Sequence, residues 1–328
     1  MKAAYIERIG PPKNIVFGDL PKPKPAAGQV LVKIKAVAVN PVDTYIRAGM
    51  YPTDLPLPYI IGCDLAGVVE AVGPEVTKFR KGDRVWGSNQ GVLGRQGTFA
   101  EFAAVDEHWL YPTPEEVSDQ DAAAVAMVGI TAHLGLFREA KLKMGDSVFI
   151  GGGAGGVGAC AIQMARAIGA RVLATAGSKE KVQICRQLGA NAVLNYKTGN
   201  LKDALEKFGA IDVWLDTKRE QSFDRAIDHM AVNGRIVVMS GGESRSKFPV
   251  GQFYAKDCKL LGYVLFNAPP EEQRKSAAEI NRWMAKGKLR PLIGRVMNLA
   301  EAADAHKLQE ENTLGKSGAL SGKIVLTP

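Results

Sequence analysis

The pattern of hydrophobic and polar residues changes about a third of the way along the chain. Before about residue 110, short apolar runs, some alternating with polar residues, are separated by glycine and proline. These runs lie at residues 30–39, 66–72, 82–86 and 98–105. Many short strands with turn residues between them are typical of a compact β-rich domain. The prolines at residues 21–25 predict a loop, since proline has no N–H to donate to a sheet.

A different pattern begins near Ser118. This serine precedes an apolar run with Asp119 and Asp121 in its first turn, which predicts the start of a helix. From residue 147 onward, predicted strands alternate with helical segments, and this order predicts βαβ units in a doubly wound parallel sheet. The predicted strands are 147–150, 171–175, 192–194, 213–215, 235–239 and 259–264, and the predicted helices are 157–168 and 180–188.

The end of the chain departs from this alternation. Helices are predicted at residues 270–286 and 299–309, followed by a last strand at 323–326. That strand has no partner in the α/β unit, so we expect it to join the N-terminal sheet. We therefore predict a catalytic domain of residues 1–121 and 266–328, and a Rossmann dinucleotide-binding domain of residues 122–265. Two domains are the normal expectation for 328 residues.

Composition narrows the class of protein. Hydrophobic residues make up 46% of the chain and charged residues 23%, which is ordinary globular composition. The net charge of +8 admits an anionic ligand or a basic solvated surface, and the scattered lysines and arginines favour the second. The four cysteines form no CxxC pair, the N-terminus has no apolar signal core, and no apolar window approaches 18 residues. A cytoplasmic protein without a membrane span is expected.

The strongest local signal is the glycine-rich segment at residues 151–158. It contains the pattern Gly153-x-Gly155-x-x-Gly158 between a predicted strand and a predicted helix. Glycines there allow a sharp turn and a close approach of a pyrophosphate, and the helix N-terminus offers N–H groups to the phosphates. The candidate dinucleotide-binding residues of this loop are Gly153, Gly155, Gly156, Val157 and Gly158.

The end of the second strand of this unit indicates which dinucleotide binds. NAD enzymes usually place an acid about 20 residues past the glycines, to hold the ribose 2′-hydroxyl. This chain instead has Thr175-Ala-Gly-Ser-Lys-Glu-Lys181, in which Ser178 and the lysines can meet a 2′-phosphate. We therefore expect NADPH rather than NADH. If the lysines only form the solvated first turn of a helix, the choice of cofactor stays open.

Over essentially its full length the chain resembles the medium-chain dehydrogenases/reductases. Where the zinc enzymes of that superfamily have a Cys after the second strand, this chain has Asn40-Pro-Val-Asp43, and where they have Gly-His-Glu it has Gly62-Cys63-Asp64. The four-cysteine lobe is replaced by residues 87–97, which contain no cysteine. Zinc needs three or four converging Cys, His or carboxylate ligands, so no metal is expected. Cys63 and Asp64 are interpreted as packing or loop residues, and the four histidines as structural.

Within that superfamily, residues 40–52, 128–133 and 265–267 are similar to segments of the zinc-free quinone oxidoreductases, the zeta-crystallin group. The resemblance implies a β-rich, GroES-like catalytic domain beside the Rossmann sheet. It also implies site residues. The catalytic candidates are Asn40, Asp43, Tyr45 and Tyr51. The cofactor candidates beyond the glycine loop are Asn40, Thr131, Gly177, Ser178, Lys181, Tyr196, Ser240, Gly241, Leu265, Phe266 and Asn267.

A quinone is already electrophilic, so hydride transfer from NADPH requires mainly correct placement of the two rings. We hypothesise that Tyr45 and Tyr51 orient the substrate carbonyl while Asn40 positions the nicotinamide amide. The alternative for both tyrosines is aromatic packing. Residues 216–220 and 312–322 depart from the family pattern, so the resemblance is a weaker guide to the substrate than to the cofactor.

Other functions stay open at this point. The same residues would serve reduction of an activated C=C bond in an enal, enone or enoyl substrate. A protein of another class, an NADPH-binding RNA-binding or crystallin-like structural protein, is permitted by the pI near 9.2 but lacks an arginine-rich arm. The resemblance further implies a homodimer formed through the strand at 259–264, whose bare apolar edge would favour aggregation.

Overall fold

The computed structural model describes residues 1–328. The chain forms two compact units. The first consists of Met1–Met127 and Pro269–Pro328, and the second of Val128–Ala268. We call them the catalytic unit and the nucleotide unit. The domain limits after residues 121 and 265 stay predictions, because compactness alone does not show where an independently stable domain begins.

Sixteen strands and nine α-helices follow one another along the chain. The N-terminal part contains β1 (Lys2–Ile6), β2 (Val16–Asp19), β3 (Gln29–Val39), α1 (Pro41–Arg47), β4 (Tyr59–Ile60), β5 (Leu65–Val72), β6 (Arg84–Gly87), β7 (Phe102–Asp106), β8 (Leu110–Pro112) and α2 (Asp119–His133). The middle part contains β9 (Ser147–Gly151), α3 (Gly156–Ala167), β10 (Arg171–Ala176), α4 (Lys179–Gln187), β11 (Ala192–Asn195), α5 (Leu201–Phe208), β12 (Ile211–Asp216), α6 (Phe223–His229), β13 (Met230–Val238), α7 (Val250–Ala255) and β14 (Lys259–Gly262). The C-terminal part contains α8 (Pro270–Ala285), β15 (Ile293–Asn298), α9 (Ala302–Thr313) and β16 (Lys323–Thr327).

The catalytic unit is built around the long strand β3. Its larger sheet has the order β15-β16-β3-β5-β6-β8, with β7 also paired to β3, and a smaller sheet has the order β2-β1-β4. The last strand joins this sheet, because β16 runs antiparallel to β3 with Val325 opposite Ala38. The prediction for the C-terminal strand is therefore confirmed. Eight of the eleven residues of β3 are buried, which explains its apolar sequence.

The strand predicted over residues 98–105 is shorter than expected. Only Phe102–Asp106 forms β7. The preceding residues turn toward the smaller sheet, where Ala100 makes an isolated antiparallel bridge to Ala3 and Ala4 N–H donates to the carbonyl of Phe99. The apolar run at residues 98–105 therefore contacts the smaller sheet with its first residues and joins the larger sheet with its last ones. The periodicity of the sequence does not indicate this change of sheet.

The nucleotide unit is a doubly wound parallel sheet, as predicted. Its strand order is β11-β10-β9-β12-β13-β14, and every neighbouring pair is parallel. This is the Rossmann order, 3-2-1-4-5-6, with the order reversing beside the first strand. In the core, the rings of Phe149 on β9 and Trp214 on β12 stack with centroids 3.8 Å apart. The same register brings Asp216 beside Gly151, at the carboxyl ends of the two strands.

Several short elements were not predicted. Helices α5, α6 and α7 have eight, seven and six residues, and α6 and α7 begin without a side-chain cap. Strand β15 has no fully buried residue, so it lacks an apolar signal. Helices of this length depend on tertiary packing for their stability, because nucleation is costly and few hydrogen bonds follow it.

One helical stretch, Asp119–Glu139, is long and apolar enough to cross a membrane by length and composition. However, 78% of its apolar window is buried inside the structure, as in the core helix of a soluble protein. This stretch is therefore weak evidence for a membrane span.

Candidate active site and cofactor site

In the catalytic unit, the candidate site begins at Asn40, between β3 and α1. Its backbone N–H donates to Asp43 Oδ2 at 2.7 Å and closes the first turn of α1. Its side-chain Nδ2 donates to Asp64 Oδ2 at 2.8 Å and to the Ala38 carbonyl at 3.3 Å. Its Oδ1 accepts from the ammonium of Lys323. Both the nitrogen and the oxygen of the Asn40 side-chain amide are therefore hydrogen-bonded within the catalytic unit. This arrangement suits a residue that positions the start of α1 better than one that contacts a nicotinamide directly.

Asp64 is the centre of this buried network. Its Oδ1 accepts from Ser88 Oγ at 2.7 Å and from Met127 N at 3.1 Å, while its Oδ2 accepts from Asn40. Lys323, the first residue of β16, is 3% exposed and places Nζ 3.8 Å from Asp64 Oδ2. Asp64 is a buried residue in the loop before β5, as the sequence indicates, but its carboxylate also joins four separate segments of the catalytic unit, which the sequence did not indicate.

Burial shifts the titration of the acidic groups in this network. It raises the pKa of Asp43 to about 7, against the opposing effect of a hydrogen bond with Cys63. It also raises the pKa of Asp64, with the charge of Lys323 acting in the opposite direction. Burial and the nearby Asp43 charge hold the pKa of the Cys63 thiol well above its usual range. Cys63 is therefore a neutral thiol at physiological pH and not a nucleophile.

The two candidate tyrosines belong to the same segment of chain. Tyr45 lies within α1 and Tyr51 in the bend after it, and both are half-buried. The carbonyl of Tyr45 accepts from Met50 N at 2.8 Å, which fixes the end of the helix. Arg47, at the last helical position, is fully buried and donates to Glu310 on α9 and to the Gly10 carbonyl. This anchoring holds α1, and with it the backbone of Tyr45.

The residues of this network do not fit a zinc site. No three Cys, His, Asp or Glu side chains converge on a point where they could hold a metal ion. The oxygen atoms of Asn40 and Asp64 already accept hydrogen bonds, and the ammonium of Lys323 stands where it would repel a divalent cation.

In the nucleotide unit, the glycine loop lies between β9 and α3, as predicted. A Cβ on Gly158 would lie 2.3 Å from the Gly152 carbonyl oxygen, so the loop excludes a side chain there. Gly155 is the N-cap residue of α3, and no side chain caps that helix. Gly152 N and Gly153 N donate to Thr175 on β10, which fastens the loop to the sheet. The loop therefore presents an uncapped helix N-terminus, which fits a dinucleotide pyrophosphate.

The residues predicted for the adenosine end lie at the carboxyl ends of β10 and β11. Ser178 is the N-cap of α4, and its Oγ accepts from Lys181 N at 3.2 Å. Tyr196 follows β11 and is 48% exposed. Its hydroxyl lies 2.5 Å from the position that a Cβ would take on Gly177, so the tyrosine covers that glycine. The structure thus brings Gly177 and Tyr196 together. The N-cap hydrogen bond also joins Ser178 to the backbone of Lys181 in the first turn of α4.

The remaining cofactor candidates are distributed over three segments of the nucleotide unit. The Thr131 carbonyl accepts from the hydroxyl of Tyr263, just after β14. Ser240 Oγ donates to the Lys218 carbonyl at 2.6 Å, so this hydroxyl fastens a neighbouring loop. Gly241 has a φ of +95°, and a Cβ there would lie 2.4 Å from the Arg219 carbonyl oxygen. Leu265, Phe266 and Asn267 form a single 3₁₀ turn after β14.

Residues 216–220, the segment in which the sequence departs from the family pattern, are not among the site residues predicted from it. Asp216 is buried, and its Oδ1 accepts from Lys218 N at 3.1 Å. Thr217 Oγ1 donates to the Gly151 carbonyl at 3.0 Å. Burial raises the pKa of Asp216, while the Lys218 charge opposes the shift. The segment is therefore fastened to the glycine loop.

The other departure, residues 312–322, lies in the catalytic unit. Leu320 N donates to Asn312 Oδ1 at 3.1 Å, which closes the segment between α9 and β16. The missed residue Lys323 follows it directly. The sequence feature that could have indicated a buried role for Lys323 is its position at the start of an otherwise apolar strand.

A GroES-like catalytic domain combined with a Rossmann domain defines a medium-chain dehydrogenase/reductase. Residues 26–115 match the family model of the alcohol dehydrogenase GroES-like domain, and residues 156–282 match that of the zinc-binding dehydrogenases. The chain is 36% identical to human quinone oxidoreductase over 330 residues, covering 99% of this chain and 97% of that protein.

Two further comparisons involve a reductase from a plant and a solved structure that contains a cofactor. The chain is 32% identical over 308 residues to the 2-methylene-furan-3-one reductase of Solanum lycopersicum, covering 92% of this chain and 72% of that protein. The structure of Escherichia coli quinone oxidoreductase complexed with NADPH superposes with a TM-score of 0.86 at 25% identity and covers 100% of both chains. The chain belongs to the quinone oxidoreductase family.

Proposed function

We propose that this protein is an NADPH-dependent quinone oxidoreductase that works without a metal. The observation that carries this proposal is the uncapped glycine-loop helix, together with Ser178 and Lys181 in place of an acid at the end of β10. An acid at that place would repel a 2′-phosphate, whereas a hydroxyl and an ammonium can bind one. Similarity to human quinone oxidoreductase along nearly the whole chain supports a quinone as the substrate.

The chain's own residues would bind and orient the two reactants. The residues proposed to hold the pyrophosphate are Gly155 to Gly158, and those for the 2′-phosphate are Ser178, Lys181 and Tyr196. When bound, NADPH supplies the hydride. We assign to Tyr45 and Tyr51 the donation of hydrogen bonds to the quinone oxygen that gains negative charge. Asn40 and Asp43 hold the start of α1 and so the backbone that carries Tyr45.

Thr131, Ser240, Gly241 and residues 265–267 are proposed to contact the cofactor as their family counterparts would. In the structure, the hydroxyl of Tyr263 fixes the backbone of Thr131, and Ser240 fixes the loop at Lys218. These contacts support rigid placement of the surrounding backbone. Rigid placement is what a hydride transfer with little acid–base chemistry requires.

The test is oxidation of NADPH and of NADH by the purified, EDTA-treated protein with four acceptors: 1,4-benzoquinone, 9,10-phenanthrenequinone, 2-hexenal and a simple aldehyde. We expect turnover of the quinones with NADPH at a rate that EDTA does not change. Loss of activity on chelation, or reduction of the aldehyde alone, would contradict the proposal.

A second candidate function is NADPH-dependent reduction of an activated C=C bond. The similarity to a 2-methylene-furan-3-one reductase favours it. The same tyrosines would then bind the enone carbonyl while the hydride goes to the β-carbon. Turnover of 2-hexenal without turnover of either quinone would establish this alternative in place of the first.

We also infer a cytoplasmic homodimer that acts on a small molecule and does not bind nucleic acid. Strand β14 ends its sheet, so its outer edge is unpaired, and Leu260 on it is exposed. Pairing with a second copy would cover that edge. The absence of disulfides among the four cysteines suits a reducing compartment. Sedimentation equilibrium tests the dimer, and a filter-binding assay with a salt titration tests binding of RNA.

A further inference from the structure

Three lysines follow successive strands of the nucleotide unit at the same edge of its sheet. Lys181 belongs to α4, after β10; Lys197 follows β11; and Lys218 follows β12. The carboxyl ends of parallel strands meet at one edge, and this is where Rossmann sheets bind ligands. Two of these lysines are close enough to affect each other, because burial and then the charge of Lys197 lower the pKa of Lys181. An anion at this edge would relieve that repulsion.

Lys218 is directed toward this edge by several contacts. Its Nζ lies 5.9 Å from the centroid of the Tyr196 ring, whose hydroxyl covers Gly177. Its backbone is fixed on both sides, because its N–H donates to Asp216 and its carbonyl accepts from Ser240 Oγ at 2.6 Å and from Gln221 Nε2 at 2.7 Å. These hydrogen bonds hold the Lys218 backbone in one position, so its side chain starts from a fixed point beside Tyr196.

The nearby Asp216 carboxylate leaves the Lys218 ammonium able to bind a further anion. Its Nζ is 3.7 Å from Asp216 Oδ2, and its side chain is 40% exposed. An ammonium has three donors, so one carboxylate oxygen at that distance does not use all of them. Glu180, in the first turn of α4, is hydrogen-bonded to Ser178, and that contact lowers the pKa of the Glu180 carboxyl.

We propose that Lys218 binds the adenosine 2′-phosphate together with Ser178 and Lys181, and thereby contributes to the preference for NADPH over NADH. This assignment rests on the proposed function. It adds to the family's pattern a cation from the segment in which this chain departs from that pattern. The ligand chemistry is a phosphate monoester dianion, for which a lysine acts as a point charge.

The experiment measures dissociation constants for NADPH and NADH, by titration calorimetry, for the wild type, Lys218→Met, Lys218→Arg and Lys202→Met. We expect Lys218→Met to weaken NADPH binding about two- to fivefold, as is usual for a partly exposed charge contact, with NADH unchanged. Lys218→Arg should keep most of the preference. Lys202, exposed on α5, is the matched control and should alter neither constant. Equal weakening of both cofactors, or no change in either, would overturn the assignment.

A double variant separates direct binding from an indirect effect. Removing Lys218 also leaves Asp216 without its nearest cation, and that carboxylate could then repel the phosphate. If Lys218 only neutralises Asp216, the variant Asp216→Asn/Lys218→Met recovers wild-type affinity for NADPH. If Lys218 contacts the phosphate, the double variant stays weak. Failure of the wild type itself to bind NADPH would instead refute the proposed function, so the two failures are distinguishable.

Discussion

The catalytic unit and the nucleotide unit use charged side chains in opposite ways. In the catalytic unit, Asp64 and Lys323 are sealed from solvent and hydrogen-bonded to groups of the same unit. At the carboxyl edge of the sheet in the nucleotide unit, Lys218 remains partly exposed. The first arrangement holds a polar network in a fixed geometry, and the second keeps a cation in contact with solvent.

The difference shows what each kind of charge can contribute. A buried ion pair contributes little net stability relative to apolar packing, yet loss of one partner is costly because the other stays desolvated. An exposed lysine can be removed at little cost to the fold, and its effect appears in binding and depends on salt. Substitutions in the two regions should therefore separate into effects on folding and effects on affinity.

The largest effect is expected for Lys323→Met. This variant leaves the Asp64 carboxylate buried without its cation, and we expect it to lower the free energy of unfolding by about 3–5 kcal/mol. Urea unfolding followed by circular dichroism measures the change. The control is Lys2→Met, which breaks a surface pair whose side chains are 50% and 73% exposed and should change stability little. Equal losses for the two variants would refute the contrast between the units.

The next effect concerns turnover. The double variant Tyr45→Phe/Tyr51→Phe keeps both rings but removes two hydroxyl donors, and we expect a loss of about 100-fold in kcat with a quinone. The dissociation constant for NADPH should not change. Tyr254→Phe, at an exposed position on α7, is the control and should be fully active. Wild-type turnover by the double variant would show that both tyrosines are packing residues.

A third prediction concerns the glycine loop. In Gly158→Ala, the new methyl group would approach the Gly152 carbonyl oxygen to 2.3 Å, so the loop must shift away from its present geometry. We expect NADPH affinity to fall at least about tenfold, while circular dichroism stays that of the wild type. Gly251→Ala, where a Cβ meets nothing within 4 Å, is the matched control. Unchanged affinity in Gly158→Ala would argue against pyrophosphate binding at this loop.

A further prediction concerns pH and His306. Burial, and next the charge of Arg47, lower the pKa of this fully buried imidazole to about 3, from an ordinary value of 6.5. Between those two values the unfolded chain binds the extra proton, so the stability of the fold decreases as the pH falls from about 6.5 toward 3. The slope contributed by one group is at most about 1.4 kcal/mol per pH unit.

Measuring the urea midpoint between pH 7 and pH 5 for the wild type and for His306→Phe checks this. The variant should show a flatter pH dependence. Asp43 is the opposite case, because a pKa raised to about 7 makes stability decrease as the pH rises from about 4 to 7. Asp43→Asn should remove that decrease. An unaltered pH profile in both variants would contradict these titrations.

Local pattern was sufficient for much of the molecule. Alternating strands and helices predicted the parallel sheet, and the spacing of Gly153, Gly155 and Gly158 predicted the loop after β9. A final strand without a partner in the α/β unit predicted that β16 joins the N-terminal sheet, where it pairs with β3. These features depend on periodicity, on glycine geometry and on the need to satisfy strand edges. Each of these is a property of a short stretch of chain.

The polar network of the catalytic unit could not be inferred in this way. Asn40 and Lys323 are 283 positions apart, so their contact exists only after β16 has paired with β3. In the sequence alone Asp64 has no apparent partner, so the sequence predicts only a packing or loop residue and not the network around it. In the same way, Lys218 became a binding candidate only when the register of β9 and β12 placed Asp216 beside Gly151. Which charges are buried, and which face a ligand, is decided by packing between distant segments, because desolvation depends on every neighbour in space and not on neighbours along the chain.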